Sequence, residues 1–177
     1  MTEITISSTI TAMVLPPIDW PFLFVTAAKI FGAYVLSIPT GWWSEKEGHA
    51  VGVRTFPLVA MASCGYLLIL RNQGGGPDAL AASSRVLQGL VAGIGFVGGG
   101  AIVKAGMSVR GTATAASIWN MGAIGSAVAL ERYEVAVVLA VMNLFTMRAL
   151  VPVKQRLDRN RKARPKDQSE PVKPQAR

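Results

Sequence analysis

Residues 86–130 read VLQGLVAGIGFVGGGAIVKAGMSVRGTATAASIWNMGAIGSAVAL, from Val86 to Leu130, without one acidic residue. The only charges in it, Lys104 and Arg110, sit near the middle, and small or apolar residues fill both halves. A surface helix in water needs a polar face along its length. A bilayer instead requires about 20 apolar residues per crossing and tolerates small residues where helices touch. The stretch therefore reads as two close-packed membrane helices joined by a short basic turn.

Outward from it, the chain offers further runs of the same kind, each bounded by charge, glycine or proline. With hydrophobic residues at 51% of 177, there is enough apolar sequence for several spans, expected over 20–38, 51–70, 86–103, 112–130 and 133–151. The expected fold is all-α: a polytopic membrane protein of about five transmembrane helices with glycine-mediated packing. Residues 1–19 form an external N-terminal segment and 153–177 a basic cytoplasmic tail. No positive charge precedes Lys29, so the first span is read as retained and not as a cleaved signal. The lone cysteine, Cys64, falls inside the second span and is read as a small buried apolar residue.

Lysine and arginine placement sets the orientation, because positive loops near span ends stay in the cytoplasm. An external N-terminus puts Lys46, Arg54, Lys104, Arg110 and Arg148 inside with the tail, and leaves Arg71, Arg85 and Arg132 outside. The reverse arrangement would translocate nine basic residues between Lys154 and Arg177. Most of the net charge of +8 lies in that tail. Such juxtamembrane clusters bind anionic lipid at about 1 kcal/mol per cation, so the expected tail partner is anionic lipid and not nucleic acid. Its proline and polar content predicts disorder.

Gly93-Ile94-Gly95-Phe96-Val97-Gly98 matches the literal G-x-G-x-x-G pattern, but it lacks a preceding strand and any acid before Glu131. No cofactor is expected. Small residues four apart, Gly89 with Gly93, Gly95 with Gly99, Gly111 with Ala115 and Gly122 with Ser126, instead predict close helix contacts. Replacing Gly93 with leucine is expected to disrupt that packing. The triplet Gly98, Gly99, Gly100 exceeds what packing needs and leaves open a local break whose carbonyls face a cavity.

Polar residues within the spans are the remaining signals. Lys29 is the one deep charge and is expected to snorkel or to meet Glu45 or Glu47. Arg54 and Arg110 form a basic rim. His49 is alone in a loop, so no metal site is assigned. Thr112, Thr114, Ser117, Asn120 and Asn143 are expected to serve as interhelical hydrogen-bonding groups, with a conduction path as the alternative. No phosphate-binding loop, zinc-protease motif or nucleophile elbow occurs, so no enzymatic activity is expected.

Three blocks, GVRTFPLVAMASCG from Gly52, RVLQGLVAGIGFVGGGAIVKAG from Arg85 and VRGTATAASIW from Val109 through Trp119, resemble the MgtC/SapB family in order and spacing. The similarity covers roughly Ala28 to Leu150. Glu45 stands nearest the acidic-basic sequence that ends the first span in many members, and Ser83 and Ser84 precede Arg85 where many members carry an acid. The resemblance implies a small bacterial inner-membrane protein, N-terminus outside and C-terminus inside, associated with magnesium homeostasis and, in pathogens, with survival in host cells. The expected role is modulation of another membrane protein, as a membrane partner or homo-oligomer. The alternative is a subunit of a cation transporter or channel.

Overall fold

The computed structural model describes residues 19–46, 52–71, 77–106 and 108–163. Five helices dominate it: α1 Trp20–Lys46, α2 Thr55–Arg71, α3 Pro77–Gly100, α4 Thr112–Ala129 and α5 Tyr133–Ala163. Between α3 and α4 the expected basic turn is a small antiparallel hairpin, β1 Val103–Ala105 with β2 Ser108–Arg110. Ala105 pairs with Ser108, and Gly106, which follows β1, has φ of 60°, a value glycine adopts without strain.

Helix limits differ from the apolar windows for physical reasons. α1 continues past 38 to Lys46 and carries Pro39 inside it. Proline removes one backbone donor but does not stop a helix whose surroundings hold it. α3 begins at Pro77, ahead of the apolar run, because proline suits the first turn of a helix. α5 runs through Pro152 to Ala163, so the first part of the tail is helical where disorder was expected. Hydrophobicity sets how much of a helix prefers lipid, not where its hydrogen bonds end.

Among the described residues, two helical segments are long and apolar enough to cross a membrane, Trp20–Lys46 and Ala81–Gly100, and Thr55–Leu70 is a shorter apolar one. The outward surface is apolar as well. Phe96 is 85% exposed, and Trp20, Phe24, Phe31, Tyr66 and Phe145 are each more than half exposed. A surface of this kind is stable in hydrocarbon and aggregates in water.

α4 is the hub, touching each of the other four helices. Its buried residues include the run Ile124–Ala129 together with Met121 and Gly122, so it has no outward side there. Around it lie Ala33 of α1, Phe56, Ala60, Cys64 and Leu67 of α2, Ile94 of α3 and Ala136 and Ala140 of α5. Small side chains dominate because lipid is as apolar as leucine, and helices gain from contact chiefly where their backbones come close.

The close approaches show which glycines achieve this. A β-carbon at Gly125 would collide with Ala60 O and lie 3.0 Å from Ser63 Cβ, and one at Gly122 would strike Ile94 Cδ1. Gly98 sits where a β-carbon would be 3.1 Å from Ala115 O, and Gly41 and Gly52 are pressed together at the α1–α2 connection. Gly111, expected to pack beside Ala115, has another task. It takes φ of 85° at the hairpin exit, and a β-carbon there would run into Ala101 O. Buried Ala33, Ser37, Thr40, Gly41 and Ser44 give α1 a small-residue seam that the sequence reading did not single out.

Gly89, Gly93, Gly95, Gly99 and Gly100 do none of this. Nothing lies within 4 Å of a β-carbon at any of them. The expectation that these glycines bring α3 into close contact with a neighbour in the same chain is therefore corrected. Nor does the glycine triplet break a helix at mid-span. It is the C-terminal turn of α3, where Ala101 N donates to Gly98 O at 3.0 Å and Ile102 N to Gly99 O at 3.1 Å.

Candidate functional site

Lys29, the deep cation of α1, meets a carboxylate from the far end of the chain. Its Nζ lies 2.8 Å from Glu131 Oε1, with the lysine side chain 12% exposed and the glutamate 47%. The expected partners were Glu45 or Glu47; Glu45 is not the one, and Glu47 and His49 lie outside the described residues. Glu131 stands in the turn between α4 and α5, at φ of 62°, where a glycine is usual. Around it Glu131 N donates to Val128 O and Arg132 N donates to Ala127 O, which closes the last carbonyls of α4. The strained left-handed backbone of a non-glycine residue is thus held by helix capping on one side and the ion pair on the other.

The polar residues of α4 divide among three environments. Ser117 Oγ donates to Asn143 Oδ1 at 3.2 Å, and Asn120 Nδ2 donates to Leu139 O at 3.3 Å, so both tie α4 to α5. Thr114 is buried, and its Oγ1 has no hydrogen-bond partner among the described residues. Thr112 is exposed. Arg148 of α5 stacks its guanidinium 5.1 Å over the Trp43 ring of α1, joining those helices by a cation–π contact. Asn143 and Trp43 are contacts that only the folded chain reveals, since helix spacing does not say which helices are neighbours.

The remaining candidates lie apart. Arg54 and Arg110 are exposed, Arg110 opposite Val103 in the hairpin, and neither forms an ion pair among the described residues. Trp119 is half exposed and helps line a groove of about 320 Å³ between α3, α4 and α5, with Ile94 and Gly122 in its wall and Arg132 at its end. A second groove, of about 600 Å³, runs between α2 and α3 beside Arg85, Gly89 and Gly93. Neither groove includes Gly98–Gly100, Thr112, Thr114 or Asn120. Gly98 does approach α4 at Ala115, beside Thr114, whereas Asn120 is engaged with Leu139 O. Among the described residues, no three His, Cys, Asp or Glu side chains cluster as metal ligands.

The outward face of α3 is what these placements leave unaccounted for. Gln88, Ala92, Gly95 and Gly99, spaced four, three and four apart, are all exposed, with no neighbour near either glycine. The profile of the MgtC family matches residues 30–156. The chain belongs to the MgtC family. Relatives include MgtC of Brucella abortus, 35% identical over 106 residues, which are 60% of this chain and 43% of that protein. SrpB of Synechococcus elongatus is 29% identical over 143 residues, 75% of this chain and 77% of SrpB. YhiD of Escherichia coli K12, whose name assigns it provisionally to magnesium transport, is 30% identical over 113 residues, 60% of this chain and 52% of YhiD. The MgtC-family chain thus spans about half the length of the MgtC and YhiD relatives and most of SrpB. No solved structure matches it.

Proposed function

We propose that this MgtC-family chain is a five-span protein of the bacterial inner membrane, N-terminus outside, that acts without catalysis by docking another membrane protein. The supporting observation is the open face of α3. Glycine in a helix interior costs about 1 kcal/mol against alanine, and Gly95 recovers none of it inside the chain. A transmembrane helix laid along Gln88, Ala92, Gly95 and Gly99 recovers it through close backbone contact, and gives the Gln88 amide a hydrogen-bond partner in place of lipid.

Magnesium homeostasis is the proposed setting, on the strength of the family and of the name given to YhiD. Modulation is preferred over conduction because Asn120, the amide offered for a cation path, is engaged with Leu139 O and lines neither groove. The test is growth of a deletion strain at limiting magnesium, complemented by the wild type, Gly95→Leu or Gly99→Leu. Both variants should reach the membrane at normal abundance and fail to restore growth. Full complementation by both would remove the docking face, and magnesium flux through the purified chain in liposomes would favour transport.

A further inference from the structure

The α2–α3 groove has the polarity of an amphiphile. Its walls are Val59 and Ala62 on one side and Val97 on the other, and its floor is open because Gly89 and Gly93 carry no side chains. Apart from Tyr66 and Arg85, the polar lining residue is Ser63, which is already engaged, donating to Val59 O at 2.8 Å. Charge appears at one end alone. Arg85 is exposed there, next to Tyr66, and among the described residues its guanidinium forms no ion pair. From Arg85 to Val97 the α3 axis rises about 18 Å at about 1.5 Å per residue. That is close to the depth of a single leaflet, about half of a 30 Å hydrocarbon core.

From this geometry we infer that the groove holds one acyl chain of an anionic phospholipid, with the headgroup phosphate on Arg85. The inference rests on the bilayer reading of the fold, and it is independent of the docking face, which lies around the other side of α3. A guanidinium presents paired donors that match phosphate oxygens, and beside hydrocarbon it has few competing waters. An acyl chain is flexible enough to fill the slot left by two absent side chains. A second helix would need its own carboxylate at one level and none below.

The experiment uses the full chain extracted from membranes in mild detergent, with retained lipid measured by native mass spectrometry. Mixed phosphatidylglycerol and phosphatidylethanolamine are added as probes. The wild type should retain phosphatidylglycerol preferentially. Arg85→Gln should keep a lipid but lose about fivefold in headgroup preference, the worth of one cation near an anionic surface. Gly93→Leu should lose the lipid whatever its headgroup. Its β-carbon meets nothing within 4 Å, so unchanged thermal stability serves as the folding control.

A wild type that retains no more lipid than Gly93→Leu overturns the proposal, as does retention without headgroup preference. A change in oligomeric mass or partner recovery on Gly93→Leu, with lipid unchanged, gives the groove to a helix instead. Recovery of the chain in the soluble fraction without detergent would fail the bilayer reading itself, a result separate from any of these.

Discussion

α3 and α4 come from the same kind of sequence and do opposite things. Both are rich in glycine, alanine and serine and lack acidic residues between Val86 and Leu130. Yet α4 buries eleven of its 18 residues, whereas α3 buries only Ile94 and Gly98 among its described residues. In α4, Gly122 and Gly125 stand where a β-carbon would hit a neighbour, while in α3 Gly89, Gly93, Gly95 and Gly99 face open space. A small-residue pattern therefore states that a helix can be approached closely. It does not state by what.

Substitutions on the two helices put that contrast at risk. The largest effect is expected at Gly125. Leucine there must push α2 away at Ala60, with a cost at or above the usual overpacking range of about 1–3 kcal/mol. Folded protein should fall sharply in the membrane fraction and in detergent melts. A Gly125→Leu chain as stable as wild type would mean that α4 is not the hub.

Next comes the clamp that pins α1 to the end of α4. Lys29→Met or Glu131→Gln should each cost about 1–2 kcal/mol, below the full range for buried pairs because Glu131 is half exposed. A double-mutant cycle should show the two effects to be non-additive; simple additivity would break the pairing. Glu131→Gly sharpens the account, since glycine recovers about 1 kcal/mol of the left-handed backbone cost while losing the ion pair. It should therefore be milder than Glu131→Gln in thermal unfolding.

On α3 the sign reverses. Gly95→Ala should be neutral or stabilising by up to about 1 kcal/mol, from helix propensity with no collision to oppose it. Loss of stability in detergent-purified monomer would show that α3 packs inward after all. The smallest effect belongs to Ser117→Ala, which removes one α4–α5 hydrogen bond worth about 0.6 kcal/mol in a membrane. A change much above that would mark the Ser117–Asn143 contact as part of a larger network.

Much of the architecture was legible in residues alone, and the reasons are local. Apolar runs and the charges between them located five helices, because backbone bonding and side-chain hydrophobicity are properties of a segment. The family blocks at Gly52, Arg85 and Val109 likewise stand in plain sequence. Ser117, Asn120 and Asn143 are polar residues in apolar runs and so predict hydrogen bonds between helices, and Ser117 and Asn120 donate across the α4–α5 contact while Asn143 accepts there. The helical extension to Ala163 was not legible, since charge density speaks for solvent and not against helix.

Only the tertiary structure decided partners. Lys29 finds Glu131 across 102 positions of sequence, Gly125 finds Ala60, and Arg148 finds Trp43, pairings that depend on how the other four helices are arranged around α4. The chain's own letters fix which segments are helical and which faces accept a close neighbour, because those follow from each residue's bonding and size. Which neighbour arrives, and which glycines are left for something outside the chain, depends on the sum of many weak contacts over the whole bundle.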